Sequence, residues 1–259
     1  MTKAEKQGVR EPGIDLLAAP AWATDLVLLA HGGVVDSFRN PHAWRAPILR
    51  MWPFATTARS AAPTAAVGLV RYRYCGWNGD AASPSADLRT VLDNLPSHIR
   101  RVLLIGHSMG GRAVVAAGNH PLVAGVLALA PWLPPDEPLA PLRGLVVFAH
   151  GTLDRITDPT LTATYAQRLR ATGTPVALLS VEGEKHAMLH RAADWNTLVH
   201  RFTTAALGES PPGESSGCEA LTTEPTRNDP LPAWNRPTPL VSGVASIARA
   251  RFNSRLTTW

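Results

Sequence analysis

The stretch 101–113, RVLLIGHSMGGRA, limits what this chain can fold into more than any other. Val102 to Ile105 predict a short buried strand, and the Ala/Val-rich run up to Gly118 predicts a helix. Between them lies Gly106-His107-Ser108-Met109-Gly110, the pattern G-x-S-x-G. A strand turning this abruptly into a helix pushes the serine hydroxyl out above the sheet, and the first N–H groups of the helix point toward it. Gly106 and Gly110 leave room where side chains would collide across the turn.

The same alternation of strand and helix runs through residues 25–207. Apolar runs at 26–30, 67–74, 123–130, 145–149 and 176–181 read as buried strands. The first ends at His31-Gly32-Gly33 and the fourth at His150-Gly151. Helical spacing covers 85–95, 159–170 with Pro159 at its start, and 187–207. Residues 41–62 carry Trp44, Ile48, Leu49, Trp52 and Phe54, but Pro47 and Pro53 are expected to break or kink any helix there. The expected fold is α/β: a doubly wound, mostly parallel sheet of about six to seven strands with helices on both faces. Only residues 131–144 separate the runs 123–130 and 145–149, so no large cap domain is expected there.

The organisation follows from composition. Residues 1–20 are expected to be loosely ordered, with a short edge strand near 14–17, and 21–208 to form the domain. From Glu209 the chain turns rich in proline, serine, threonine and glycine, so 209–259 is expected to be a disordered tail. Residues 240–256 could form a weak basic helix in it, with a membrane-surface or partner-docking role as the less favoured reading. The net charge of +5 belongs to the domain, because acids and arginines balance after Glu209. Its arginines are scattered without interleaved aromatics, so no nucleic-acid partner is expected. Two distant cysteines, Cys75 and Cys218, argue against a disulfide framework. The first residues are charged, without the apolar core of a signal peptide, and no run approaches the about 20 apolar residues of a transmembrane segment. A cytoplasmic location is the expectation. Oligomeric state is not legible.

A serine hydroxyl needs a general base to act as a nucleophile. In doubly wound sheets functional groups collect at the carboxyl ends of strands. Those ends supply Asp154 after 145–149 and His186 after 176–181, in the order Ser108, Asp154, His186. Asp158 competes with Asp154 but precedes Pro159 and suits a helix N-cap; Asp136 is the other alternative. His190 and His200 compete with His186 but fall within the expected last helix. His31 and His150 read as loop-shaping side chains. His186 and His190 have the i,i+4 spacing of a zinc site, but Ala187 stands where that motif needs Glu, so no metal is expected.

The order and placement of these residues resemble the α/β-hydrolase superfamily, most closely the small dienelactone-hydrolase-like and serine-esterase members. The resemblance covers about 25–207 and rests on HGG at 31–33, GHSMGG at 106–111, HGTLDRITDP at 150–159 and the histidine of EGEKHAML. Dienelactone hydrolases carry cysteine at the nucleophile elbow, so Ser108 departs from that activity. The resemblance implies a Ser108–His186–Asp154 triad acting on a small-molecule acyl ester or thioester without a cofactor. It also implies an oxyanion hole from the N–H of Met109 and of Gly33, with Val34 the alternative. His107, Trp77 and Trp132 are candidates for the substrate pocket, packing being the competing role. The rival readings are a perhydrolase or haloperoxidase-like enzyme on the same triad, and a noncatalytic binding protein of this fold.

Overall fold

The computed structural model describes residues 11–208 and 257–258. Apolar runs form its central strands: β1 (Gly13–Ala18), β2 (Asp25–Ala30), β3 (Ala66–Arg71), β4 (Arg101–His107), β5 (Val123–Leu129), β6 (Leu145–Gly151) and β7 (Ala177–Val181). A two-residue β8 (Thr257–Thr258) pairs with β1. The sheet order is β7-β6-β5-β4-β2-β3-β1-β8. From β3 to β7 all neighbours are parallel, while β1 runs antiparallel to β3. Within the stretch 1–20 expected to be loosely ordered, residues 13–18 are thus paired with β3, and Asp15 and Leu16 also with β8.

Among the described residues five α-helices cover the faces: α1 (Ala46–Ala61), α2 (Ser83–Asp93), α3 (Met109–Ala117), α4 (Pro159–Ala171) and α5 (Ala192–Leu207). Successive strand side chains point to opposite faces, and both faces here are apolar. Leu26, Leu28, Val102 and Leu104 pack with α2, α3 and α4, whereas Val27, Leu29, Leu103 and Ile105 pack with α1 and α5. The 131–144 connection contains no helix or strand, so this connection builds no cap domain over the carboxyl ends of the strands.

Two expectations need correction. Residues 46–61 form one helix despite Pro47 and Pro53. Pro47 sits in the first turn, where no intrahelical donor is needed; Pro53 forfeits a bond, but Met51, Trp52, Phe54, Ala55 and Ala58 bury against the sheet around it. The last helix starts at Ala192, not 187, because 183–191 fold around the buried carboxylate of Glu184. His190 therefore lies before α5 and contacts Glu184. The tail expected at 209–259, with its possible basic helix at 240–256 and Cys218, lies outside the described residues apart from β8. Among the described residues no helix is long and apolar enough to cross a membrane.

Candidate active site

The carboxyl ends of β2, β4, β6 and β7 bring the sequence candidates together. Ser108 takes φ 57° and ψ −120°, a conformation that disfavours side chains and holds only where neighbours enforce it. They do so through the backbone. The Ser108 N–H donates to Leu129 O at 3.1 Å, and its carbonyl accepts from the N–H of Arg112 at 3.1 Å and of Trp132 at 3.0 Å. A Cβ at Gly106 would strike the backbone of Gly110, and one at Gly110 would strike the carbonyls of Ala30 and His31. The turn is therefore closed by contact between strand, helix and the 31–33 loop.

From Ser108 a hydrogen-bonded chain leads inward. Its Oγ lies 3.0 Å from His186 Nε2, and His186 Nδ1 lies 2.8 Å from Asp154 Oδ2. Asp154 is buried at the end of the β6 loop. Its Oδ1 accepts from the N–H groups of Ile156 (2.8 Å) and Thr157 (3.1 Å), and its Oδ2 also accepts from the Thr157 hydroxyl at 2.9 Å. A second imidazole, His150 Nε2, lies 3.1 Å from the same Oδ2. Burial pushes the Asp154 carboxyl up, but the bonds from His150, His186 and the Ile156 and Thr157 amides outweigh it and hold it far below the usual carboxylate range. The competing acids lie elsewhere: Asp158 caps α4 through Thr160 N at 2.8 Å, and Asp136 is exposed in the 131–144 connection.

The loop bearing His186 is anchored by Glu184, whose carboxylate is fully buried. It accepts from the N–H of Lys185 (2.8 Å) and Arg191 (2.7 Å) and from the Trp195 indole (3.2 Å). Sequence reading missed this residue and the partners of Asp154, His150 and Thr157. An acid two positions before the histidine was its one signal, and acids are common in loops.

The 31–37 loop is pinned to the loop after β3. Val34 N–H donates to Cys75 O and Trp77 N–H to Val34 O, both at 3.0 Å. A Cβ at Gly32 would lie 3.2 Å from Ser108 Cβ, and one at Gly33 would meet Cys75 O and the Met109 side chain. Gly33 and Met109 thus lie side by side next to the serine.

The three expected pocket residues occupy different positions. His107 is buried behind His186, with ring centroids 4.7 Å apart and its Nε2–H donating to His186 O at 3.0 Å. Burial, then the neighbouring His186, push its pKa well below that of an ordinary histidine, so the ring is neutral. Trp77 and Trp132 meet edge to face at 6.1 Å, and the Arg112 guanidinium lies 3.9 Å and 4.8 Å over their rings. Arg112 also contacts the buried Glu137 at 2.7 Å. Trp77 lines a cavity of about 410 Å³ with Arg112 and Glu137 whose walls include neither Ser108 nor His186. On the loops that leave the carboxyl ends of β2 and β6, Val34, Val35 and Phe38, and Leu153 and Ile156, are exposed. Among the described residues no group of His, Cys, Asp and Glu is arranged to hold a metal.

No curated protein matches the sequence. Solved structures share the fold. Esterase PE8 is 19% identical with a TM-score of 0.59, over 76% of this chain and 100% of that one. Est1E from Butyrivibrio proteoclasticus is 13% identical with a TM-score of 0.53, over 76% and 94%. An alpha-beta serine hydrolase homologue from Coxiella burnetii is 16% identical with a TM-score of 0.52, over 75% and 99%. Residues 27–250 match the model of the alpha/beta hydrolase family, and with that match across most of its length this chain belongs to the α/β-hydrolase family.

Proposed function

We propose that the protein is a serine hydrolase that cleaves a small acyl ester or thioester through an acyl-enzyme. The observation that carries this reading is the unbroken chain from Ser108 Oγ through His186 to Asp154, at 3.0 Å and 2.8 Å. Ser108 attacks the acyl carbonyl while His186 Nε2 takes its proton. Asp154 accepts from Nδ1–H, which fixes the tautomer that leaves Nε2 free to act as base, and it stabilises the imidazolium formed. The oxyanion is met by the N–H of Met109 and of Gly33; Val34 is the weaker candidate because its N–H is engaged by Cys75 O. His186 then protonates the departing alcohol or thiol. Water, deprotonated by the same imidazole, releases the acid and restores the serine.

The apolar side chains exposed on the loops after β2 and β6, the loops that carry Gly33 and Asp154, favour an acyl or alcohol group of apolar character. That the named structural relatives include esterases is consistent with this reading. The test is labelling with a fluorophosphonate probe, which reacts only with an activated serine. The intact protein should label and Ser108→Ala should not, with ester turnover falling by roughly 10⁴–10⁶-fold. Equal labelling of both proteins, or of neither, ends the proposal. A series of p-nitrophenyl esters and acyl-CoA thioesters then sorts the acyl group.

A further inference from the structure

Asp154 Oδ2 is shared by two imidazoles, and only His186 has a part in the reaction proposed above. The second, His150, is buried on β6 four residues before the acid. Its Nε2 lies 3.1 Å from Asp154 Oδ2 and 3.2 Å from Thr157 O, two acceptors that cannot donate, and 3.2 Å from the Thr157 hydroxyl, whose proton goes to Oδ2 at 2.9 Å. Its Nδ1 lies 2.9 Å from the hydroxyl of the buried Thr162 on α4. This arrangement assigns the tautomer. With the proton on Nε2, the ring donates to the carboxylate and the Thr157 carbonyl, and Nδ1 accepts from Thr162 Oγ1–H. With the proton on Nδ1 alone, a nitrogen lone pair would face two acceptor oxygens.

We infer that His150, held by Thr162, is a positioning residue that fixes the Asp154 carboxylate and shares its charge, and so sets how strongly Asp154 acts on His186. The proposal rests on the hydrolase reading of Ser108, His186 and Asp154. Its physical content is competition. Each donor on Oδ2 withdraws part of the negative charge that the His186 imidazolium would otherwise see. The groups facing this cluster are His186 from the loop after β7, His107 at the end of β4 with Arg50 of α1 behind it, Thr157 from the acid's own loop, and Thr162 from α4. His150 is the side chain whose removal takes an N–H from the carboxylate without touching the base or the nucleophile.

The sign follows. Without the His150 donor, Asp154 carries more uncompensated charge toward Nδ1–H, so the His186 imidazolium is held more tightly. The acid limb of the reactivity–pH profile then moves to higher pH. The carboxylate also loses a point of attachment, so reactivity at the plateau falls.

The rate of fluorophosphonate labelling as a function of pH reads both effects on the full-length protein without knowledge of the substrate. For His150→Phe the plateau rate should fall roughly 10- to 100-fold, the worth of one hydrogen bond to a charged group, and the acid limb should rise by roughly half to one pH unit. His150→Gln keeps an amide N–H within reach of the carboxylate and should restore the limb and most of the rate. Thr162→Val frees the ring and should give a smaller change of the same sign; it decides the matter if His150→Phe does not fold. An unmoved acid limb in these variants, or a loss in His150→Gln equal to that in His150→Phe, means that His150 only fills space, and the proposal is overturned. A wild-type protein that does not label at Ser108 overturns the hydrolase reading and this inference together, whereas normal labelling that His150→Phe leaves unchanged overturns this inference alone.

Discussion

At the Ser108 end of the site the constraints are made of backbone: a residue at φ 57°, its carbonyl held by two amides, and glycines whose missing side chains let strand, helix and loop touch. At the Asp154 end they are made of side chains: two imidazoles and a threonine hydroxyl converge on one oxygen, and Glu184 gathers the loop that carries His186. The first construction tolerates no added atom and has no spare parts. The second is a network, in which each bond is one of several on the same group. The two ends should therefore fail differently under mutation.

The largest effect tests whether the network depends on the charge at its centre. Asp154→Asn keeps the shape but puts an NH₂ group where donors from His150, His186 and Thr157 converge, or else turns it toward the Ile156 and Thr157 amides. His186 is then favoured in the wrong tautomer, and turnover should drop by about 10⁴-fold. Ester hydrolysis measured on purified protein checks this, and a loss below tenfold would show that Asp154 is not the acid of the site.

Gly110→Ala probes the other end. Its Cβ would press on the carbonyls of Ala30 and His31, which belong to β2 and the loop beside the serine and cannot rotate away as a side chain can. The expected cost is about 3 kcal/mol of stability in urea unfolding, with labelling lost alongside. A variant of wild-type stability would mean that the turn is less tightly closed than the contacts imply.

This difference in construction also explains what the sequence disclosed. Backbone constraints leave local marks, because only glycine fits where strand and helix touch, so the Ser108 turn is readable within five residues. Apolar runs likewise reveal β2, β4, β5 and β6, since a strand buried on both faces has few polar positions to interrupt it. Pro53 misleads in α1 because a proline's local penalty is visible in sequence while the tertiary burial that offsets it is not. The partners of Asp154 are hidden for a similar reason. His150, Thr157 and Thr162 come from a strand, a loop and a helix, and nothing in their spacing says that they meet. The same holds for Glu184, whose partners run on to Trp195 in α5.

The smallest effect is the sharpest test of the network's redundancy. Thr157→Val keeps volume and branching but removes the hydroxyl that donates to Asp154 Oδ2 at 2.9 Å. The same hydroxyl lies 3.3 Å from Ala130 O, a second acceptor for its proton, and its loss orphans no buried charge. The Thr157 N–H still donates to Oδ1, and both histidines still donate to Oδ2. One bond to a carboxylate that retains several others should cost about 1 kcal/mol, so turnover should fall by roughly threefold to tenfold, with a comparable loss of stability. If Thr157→Val instead matches Asp154→Asn, the network has no redundancy and the acid end is as brittle as the turn at Ser108. If it costs nothing, the two histidines suffice to hold Oδ2 while the Ile156 and Thr157 amides hold Oδ1, which strengthens the part assigned to His150.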